Sequence, residues 1–78
     1  MARWQPIHST LAAFGKNVRK YREKLNFSQE TLAEKAGLDQ TYISGIENGR
    51  RNPGIKNVAR IAKAFGITTA ELCKGVEA

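Results

Sequence analysis

Three side chains near the middle of the chain, Gln40, Thr41 and Ser44, can hydrogen-bond the edges of nucleic-acid bases. A glutamine amide can pair with adenine N6 and N7 through two hydrogen bonds, and a threonine offers both a hydroxyl and a methyl group. The same residues are also ordinary on the soluble face of a helix. Their function therefore depends on whether the surrounding elements project them outward.

The segment that carries these residues has the spacing of two short helices joined by a tight turn. With Gln29 as the first position, the positions that require apolar, small or flexible residues hold Leu32, Ala33, Ala36, Gly37, Leu38, Ile43 and Ile46. Ala33 is small where the helices nearly touch, and Gly37 can adopt the positive φ of the turn. Such a turn crosses two helices at about 90–120°, which pushes the second helix towards a major groove about 12 Å wide.

We therefore predict a helix-turn-helix over about residues 28–48. Ser28 and Asp39 can cap its two helices, since their side-chain oxygens can accept from free backbone N–H groups of the first turn. We expect the first helix of this motif to end at Gly37 and its second helix to end near Glu47. A plain helical bundle with the same corner is the alternative, because turn geometry alone sets no affinity for DNA.

The rest of the chain predicts three further helices. Steps of three and four residues give a first helix, from a cap at Ser9 or Thr10 to a stop at Asn26, with an apolar face formed by Leu11, Phe14, Val18, Tyr21 and Leu25. A fourth helix has the apolar stripe Ile55, Val58, Ile61, Ala62 and Phe65. Thr68 or Thr69 caps a short fifth. We expect an all-α, compact five-helix fold, with residues 1–8 as an N-terminal arm and residues 9–78 as the domain.

Composition favours a polyanionic partner. Thirteen Lys and Arg against seven acids give a net charge of +6, which suits nucleic acid first and an acidic membrane second. One Cys and one His form neither a disulfide nor a zinc site within the chain. They also provide no nucleophile with a positioned base. We expect no enzyme activity, no metal and no cofactor.

The sequence also predicts a cytoplasmic protein. No apolar run approaches the roughly 20 residues needed to cross a bilayer. Residues 1–8, which include Trp4 and His8, lack the apolar stretch of a signal peptide.

The string SQETLAEKAGLDQTYISGIENGRRNP resembles the phage repressor/Cro class, also called the xenobiotic-response-element family, over about residues 11–73. This resemblance implies a lambda-repressor-like fold and a homodimer bound to double-stranded DNA at a palindromic operator. Within the class, LDQTYISGIENGRRN is most similar to controller proteins of restriction–modification systems, which regulate their own gene and the endonuclease gene. An antitoxin of the same fold is the alternative. We expect no small-molecule effector.

The resemblance also implies roles for single residues. Gln40, Thr41 and Arg51 read bases, and Ser44 joins them on the outer face of the helix. Contacts to the DNA backbone are expected from Gln29, Tyr42, Asn48, Arg50, Asn52 and Lys56. A solvated surface loop is the alternative for residues 48–56, and a partly buried aromatic ring is the alternative for Tyr42.

The same resemblance also implies an ion pair within the chain and a set of residues at the dimer interface. Arg22 pairs with Glu47 and so fixes the second helix of the helix-turn-helix to the first helix of the chain. The alternative is that Arg22 contacts a phosphate. The dimer interface is expected at Ile67, Leu72 and Val76. Gly45 departs from the repressor pattern, which often has a long side chain there. Because glycine in a helix interior is unfavourable by about 1 kcal/mol, it indicates a close approach of the backbone to DNA or to another part of the chain.

Overall fold

A computed structural model describes residues 9–78, and the predicted arm with Trp4 and His8 lies outside this range. Its helices are α1 Ser9–Lys24, α2 Gln29–Ala36, α3 Gln40–Glu47, α4 Gly54–Phe65 and α5 Thr69–Leu72. The predicted all-α, five-helix class is confirmed. No helix within residues 9–78 is both long enough and apolar enough to cross a bilayer.

Short polar caps begin three of the helices. Ser28 Oγ accepts from the backbone N–H of Thr31 at 2.9 Å, and Asp39 Oδ2 accepts from that of Thr41 at 2.9 Å. Thr68 Oγ1 accepts from the N–H of Glu71 at 3.0 Å, so Thr68 caps α5. Each cap pairs a backbone N–H that has no partner within its helix, which stabilises the helix by about 1 kcal/mol.

A left-handed residue ends α2 and turns the chain sharply towards α3. Gly37 has φ of 70°, its N–H donates to Glu34 O at 3.3 Å, and the next N–H, of Leu38, donates to Ala33 O at 2.8 Å. This pair of bonds is the Schellman motif, which favours glycine at the left-handed position. Helix α1 ends in the same way at Asn26, with φ of 59°.

The core lies between α1, α2, α3 and α4, with α5 closing one end. Its buried apolar residues are Phe14, Val18, Leu32, Ala33, Ala36, Ile43, Ile46, Val58, Ile61, Ala62, Phe65 and Leu72. Two large residues that were predicted on the apolar faces of α1 and α4 are exposed instead. Leu25 is 42% exposed because α1 ends at Lys24 and the chain turns away. Ile55 is 74% exposed because it lies in the first turn of α4, ahead of the buried Val58.

Helices α1 and α3 meet closely at Gly15. A Cβ atom at this position would lie 2.7 Å from Glu47 O and 2.9 Å from the carbonyl carbon of Glu47. Only glycine therefore allows the α3 backbone to come so near to α1. The sequence gives no sign of this, since Gly15 stands within an ordinary amphipathic helix pattern.

Candidate nucleic-acid interface

Helix α3 is held from one side and exposed on the other. Ile43 and Ile46 are buried against the core, whereas Gln40 and Thr41 at the start of the helix are exposed and Ser44 is half-buried. Ala33 on α2 is buried at the corner between the two helices. The corner therefore leaves hydrogen-bonding side chains free at the N-terminal end of α3.

The other end of α3 is fixed by a buried carboxylate. The side chain of Glu47 is fully buried, and Arg22 donates to it twice, from Nε to Oε2 at 2.6 Å and from Nη2 to Oε1 at 3.0 Å. The Nη1 atom of Arg22 donates to Phe27 O at 2.9 Å. The structure thus brings together the two residues expected to pair, and Arg22 faces the protein interior instead of a phosphate.

Two more side chains complete this cluster, and nothing in the sequence predicted their part in it. Gln29 Nε2 donates to Glu47 Oε1 at 3.1 Å, and Arg19 Nε donates to the same oxygen at 3.3 Å. Gln29 had been expected to contact a phosphate. Its amide nitrogen instead supports the Glu47 carboxylate, since a buried carboxylate needs donors for its remaining lone pairs. We refer to Arg19, Arg22, Gln29 and Glu47 as the Glu47 cluster.

The electrostatics of the Glu47 cluster favour a charged carboxylate. Burial alone would raise the pKa of Glu47, but the hydrogen bonds from Arg22, Gln29 and Arg19 and the positive charge of Arg22 outweigh burial and hold this pKa below its usual value. The hydrogen bond to Glu47 raises the pKa of Arg22 in turn. Both residues are therefore ionised at neutral pH, and together they fix α3 to α1.

Tyr42 does not present a free hydroxyl. Its hydroxyl donates to Pro53 O at 3.3 Å and accepts from Asn57 Nδ2 at 3.1 Å, and the residue is half-buried. The expected phosphate contact is thus replaced by bonds that connect α3 to the start of α4. The alternative interpretation, a partly buried aromatic ring, describes this residue.

Arg51 returns to the surface of α3 after the helix has ended. Its guanidinium carbon lies 5.3 Å from the centroid of the Tyr42 ring, within the range of a cation–π interaction. Its side chain also covers Gly45, where an added Cβ would lie 2.6 Å from Arg51 Cγ. The close approach predicted at Gly45 is therefore an approach by Arg51.

The remaining residues predicted to contact the DNA backbone lie in the loop after α3 or, for Lys56, in the first turn of α4, and all of them are exposed: Asn48, Arg50, Asn52 and Lys56. Asn48 Oδ1 accepts from Arg19 Nη2 at 3.5 Å, and Asn52 Oδ1 accepts from the N–H of Gly54 at 3.3 Å, at the start of α4. The two cations beside them, Arg50 and Lys56, remain open to solvent.

The expected dimer residues lie in different environments. Leu72 is 0% exposed within its own protomer, so it belongs to the core and offers no surface to a partner. Ile67 and Val76 are half-buried against the core. Val76 also lines a shallow apolar groove of about 210 Å³, with Leu11 and Ile55 among the other residues around it.

The α2–α3 corner, the exposed polar residues that begin α3 and the cations beyond it define a helix-turn-helix DNA-binding protein. The sequence matches the family described as Helix-turn-helix over residues 18–72, so the chain belongs to that family. This family consists of DNA-binding regulators that are not enzymes, which agrees with the expectation of no enzyme activity.

Several individual relatives of this chain belong to a narrower class than the family as a whole. Control protein C.MunI of Mycoplasma sp is 45% identical over 65 residues, which cover 82% of this chain and 88% of that protein. The restriction–modification controller protein C.AhdI from Aeromonas hydrophila has a TM-score of 0.82 and 40% identity, covering 83% of this chain and 98% of the other. The controller protein C.Esp1396I, solved as a tetramer in complex with its natural 35 base-pair operator, has a TM-score of 0.77 and 35% identity, covering 83% and 86%. The predicted resemblance to controller proteins is confirmed.

Proposed function

We propose that this chain is a control protein of a restriction–modification system, which binds an operator in double-stranded DNA and regulates its own gene and that of an endonuclease. The exposure of Gln40 and Thr41 at the start of an otherwise anchored α3 carries this proposal. The similarity to C.MunI and C.AhdI supports the regulatory role. Such a protein acts in the cytoplasm, where it meets its DNA.

Each exposed group has a chemical role in this proposal. Gln40 pairs with adenine, Thr41 contacts a thymine methyl group or a base edge, and Arg51 donates two hydrogen bonds to guanine. Ser44 adds a hydroxyl on the same helix. Asn48, Arg50 and Asn52 in the loop after α3 and Lys56 in the first turn of α4 contact the DNA backbone, which sets the position of the protein and the salt dependence of binding.

We also propose that the active form is a two-fold homodimer whose interface is the apolar groove at Leu11, Ile55 and Val76. Ile55 is one of the two large apolar side chains exposed within residues 9–78, and it borders this groove. A two-fold interface uses the same surface on both copies, so Ile55 of each protomer packs at the groove of the other. The two α3 helices then reach successive major grooves about 34 Å apart.

No small-molecule effector is needed in this scheme, because occupancy of the operator follows the protein concentration through dimerisation. Dimers form only when enough protein has accumulated. The dissociation constant of the dimer then sets how long after the start of synthesis DNA binding begins.

The test is to select preferred duplexes from a random library with the wild-type protein and to measure their binding by gel shift. We expect enrichment of a palindromic sequence and loss of that preference in the variant Gln40→Ala, Thr41→Ala, Arg51→Ala. Arg60→Ala is a charge-matched control, because Arg60 is exposed on α4, outside the proposed interface. Retained preference in the triple variant would refute the assignment of these residues.

A further inference from the structure

We infer that Gly45 is a specificity-determining residue of the interface, because its missing side chain leaves the space on α3 in which Arg51 is held. This inference rests on the proposed function. A Cβ at position 45 would lie 2.6 Å from Arg51 Cγ and 3.6 Å from Arg51 Cβ and Cδ. The methylene chain of Arg51 therefore lies directly on the α3 backbone.

The end of α3 directs Arg51 to this position. Gly49 has φ of 73°, its N–H donates to Ile46 O at 3.0 Å, and the N–H of Arg50 donates to Gly45 O at 2.8 Å. These bonds form a Schellman motif, which reverses the chain over the last turn of the helix. The residue that follows, Arg51, is thereby brought back over Gly45.

The Tyr42 ring forms the second wall of this site, which we name the Arg51 platform and define as Gly45 and Tyr42. The ring is held in turn, since its hydroxyl bonds to Pro53 O and to Asn57 on α4. Within residues 9–78 the Arg51 guanidinium forms no ion pair, and the residue is exposed. The platform thus fixes the stem of Arg51 and leaves its donors free.

A fixed stem matters because base recognition by arginine needs two parallel hydrogen bonds in one direction. A free arginine loses much rotamer freedom when it is bound in that geometry, whereas a side chain already held on a platform loses less. This explains a glycine in the interior of α3 despite its poor helix propensity. Gly45 acts as a positioning residue, and Arg51 makes the contact.

The test compares Gly45→Ala, Arg51→Ala and the double variant with the wild type, using the duplex that the wild type enriches from a random library and an unrelated duplex of equal length. We expect Gly45→Ala to weaken binding to the enriched duplex by about tenfold, within the range of one lost bidentate contact. Its binding to the unrelated duplex and its salt slope stay unchanged, because no charge is removed. Arg51→Ala loses the same preference for the enriched duplex.

The double variant separates this mechanism from direct contact of Gly45 with DNA. If Gly45 acts through Arg51, adding Gly45→Ala to Arg51→Ala causes no further loss of affinity. A further loss of about tenfold would mean that the DNA backbone approaches Gly45 itself, and the inference would be wrong. Full affinity in Gly45→Ala would also overturn it.

A measurement without DNA covers the case of a misfolded variant or of a protein that enriches no sequence. In the wild type we expect the Arg51 side-chain protons to show ring-current shifts in the NMR spectrum, because the side chain lies over Tyr42. Tyr42→Leu removes these shifts while Gly45 is unchanged. Absence of the shifts in the wild type refutes the platform. Failure to enrich any duplex, with the shifts present, refutes the proposed function instead.

Discussion

Replacement of Glu47 by alanine tests the importance of the Glu47 cluster for the fold. The carboxylate side chain is 0% exposed and accepts from Arg22 at 2.6 and 3.0 Å and from Gln29 at 3.1 Å. Its removal leaves the Arg22 guanidinium without a counter-charge between α1 and α3. Removing one partner of a buried ion pair destabilises a protein by about 3–5 kcal/mol, because the remaining charge is uncompensated.

The location of Arg22 places the expected loss at the lower end of that range. Its side chain keeps 14% exposure, so water can partly replace the lost carboxylate, and we expect a loss of about 3 kcal/mol. A chain of 78 residues has a free energy of unfolding of about 4–12 kcal/mol at typical stability per residue. The variant should therefore fold at neutral pH with a much lower denaturation midpoint.

Urea unfolding followed by circular dichroism at pH 7 measures this loss. Two variants serve as controls. Glu34→Ala removes an exposed carboxylate from α2 and should change the free energy of unfolding by less than about 0.5 kcal/mol. Arg19→Ala removes a cluster member that is 47% exposed and should lose about 0.2–1 kcal/mol. If Glu47→Ala lowers the free energy of unfolding by less than Arg19→Ala does, the reasoning is refuted.

The pH dependence gives a second check on the same variant. Because the pKa of Glu47 is lowered in the folded protein, its contribution to stability is complete above the unfolded pKa of about 4.3. The contribution is lost as the pH falls through the folded pKa. The difference between wild type and Glu47→Ala should therefore be constant near neutral pH and shrink in acid below about pH 4. A difference that grows in acid would contradict the assignment of a charged carboxylate.

Three further substitutions have defined outcomes. Gly15→Ala should lower the free energy of unfolding by about 1–3 kcal/mol through overpacking against Glu47 O, although helix propensity alone predicts a gain; a raised urea midpoint would contradict the close crossing. Ser28→Ala should lower it by about 1 kcal/mol, because the cap on the Thr31 N–H is lost; an unchanged midpoint would show that water caps α2 equally well. Ile55→Glu should shift sedimentation towards the monomer with unchanged helix content, since Ile55 is exposed, whereas Lys63→Glu on the same helix should not; an intact Ile55→Glu dimer would place the interface elsewhere.

The ends of α2 and the start of α3 were predictable because they rest on local chemistry. Ser28 and Asp39 have side-chain oxygens that reach the first turn of their own helix, and Gly37 tolerates the left-handed conformation. These signals depend on a few neighbouring residues, so one sequence is enough to find them. The helix-turn-helix follows from two such helices with Ala33 at the corner.

Contacts between distant segments could not be predicted in the same way. Periodicity placed Leu25 and Ile55 on apolar faces, but it does not say where a helix leaves the core, and both are exposed. Leu72 shows the converse error: α5 is so short that its one buried residue is needed to close the protomer. The resemblance alone could not distinguish that residue from an interface residue.

In the candidate site, too, local features could be predicted from the sequence and contacts between distant segments could not. Exposure of Gln40 and Thr41 followed from the motif. The engagement of Gln29 with Glu47 and of Tyr42 with Pro53 depends on which segments lie opposite in space. Gly45 gave a usable signal, since a glycine within a helix indicates a close neighbour, but nothing in the sequence names Arg51 as that neighbour.

Under the proposed function, stability and DNA recognition depend on different ends of a single short helix. Helix α3 has eight residues, which span about 12 Å at 1.5 Å per residue. Its C-terminal residue, Glu47, is buried in the cluster that fixes α3 to α1, whereas Gln40 and Thr41 at the other end have exposed side chains. Substitutions at those two positions therefore remove no core contact and should alter stability by no more than about 0.5 kcal/mol. Under the proposed function, such substitutions should change which bases are bound. Gly45 lies between the two ends and is covered by the Arg51 side chain. Under the proposed function, a change at Gly45 therefore affects recognition through packing, which is why operator preference should be less freely altered there than at Gln40.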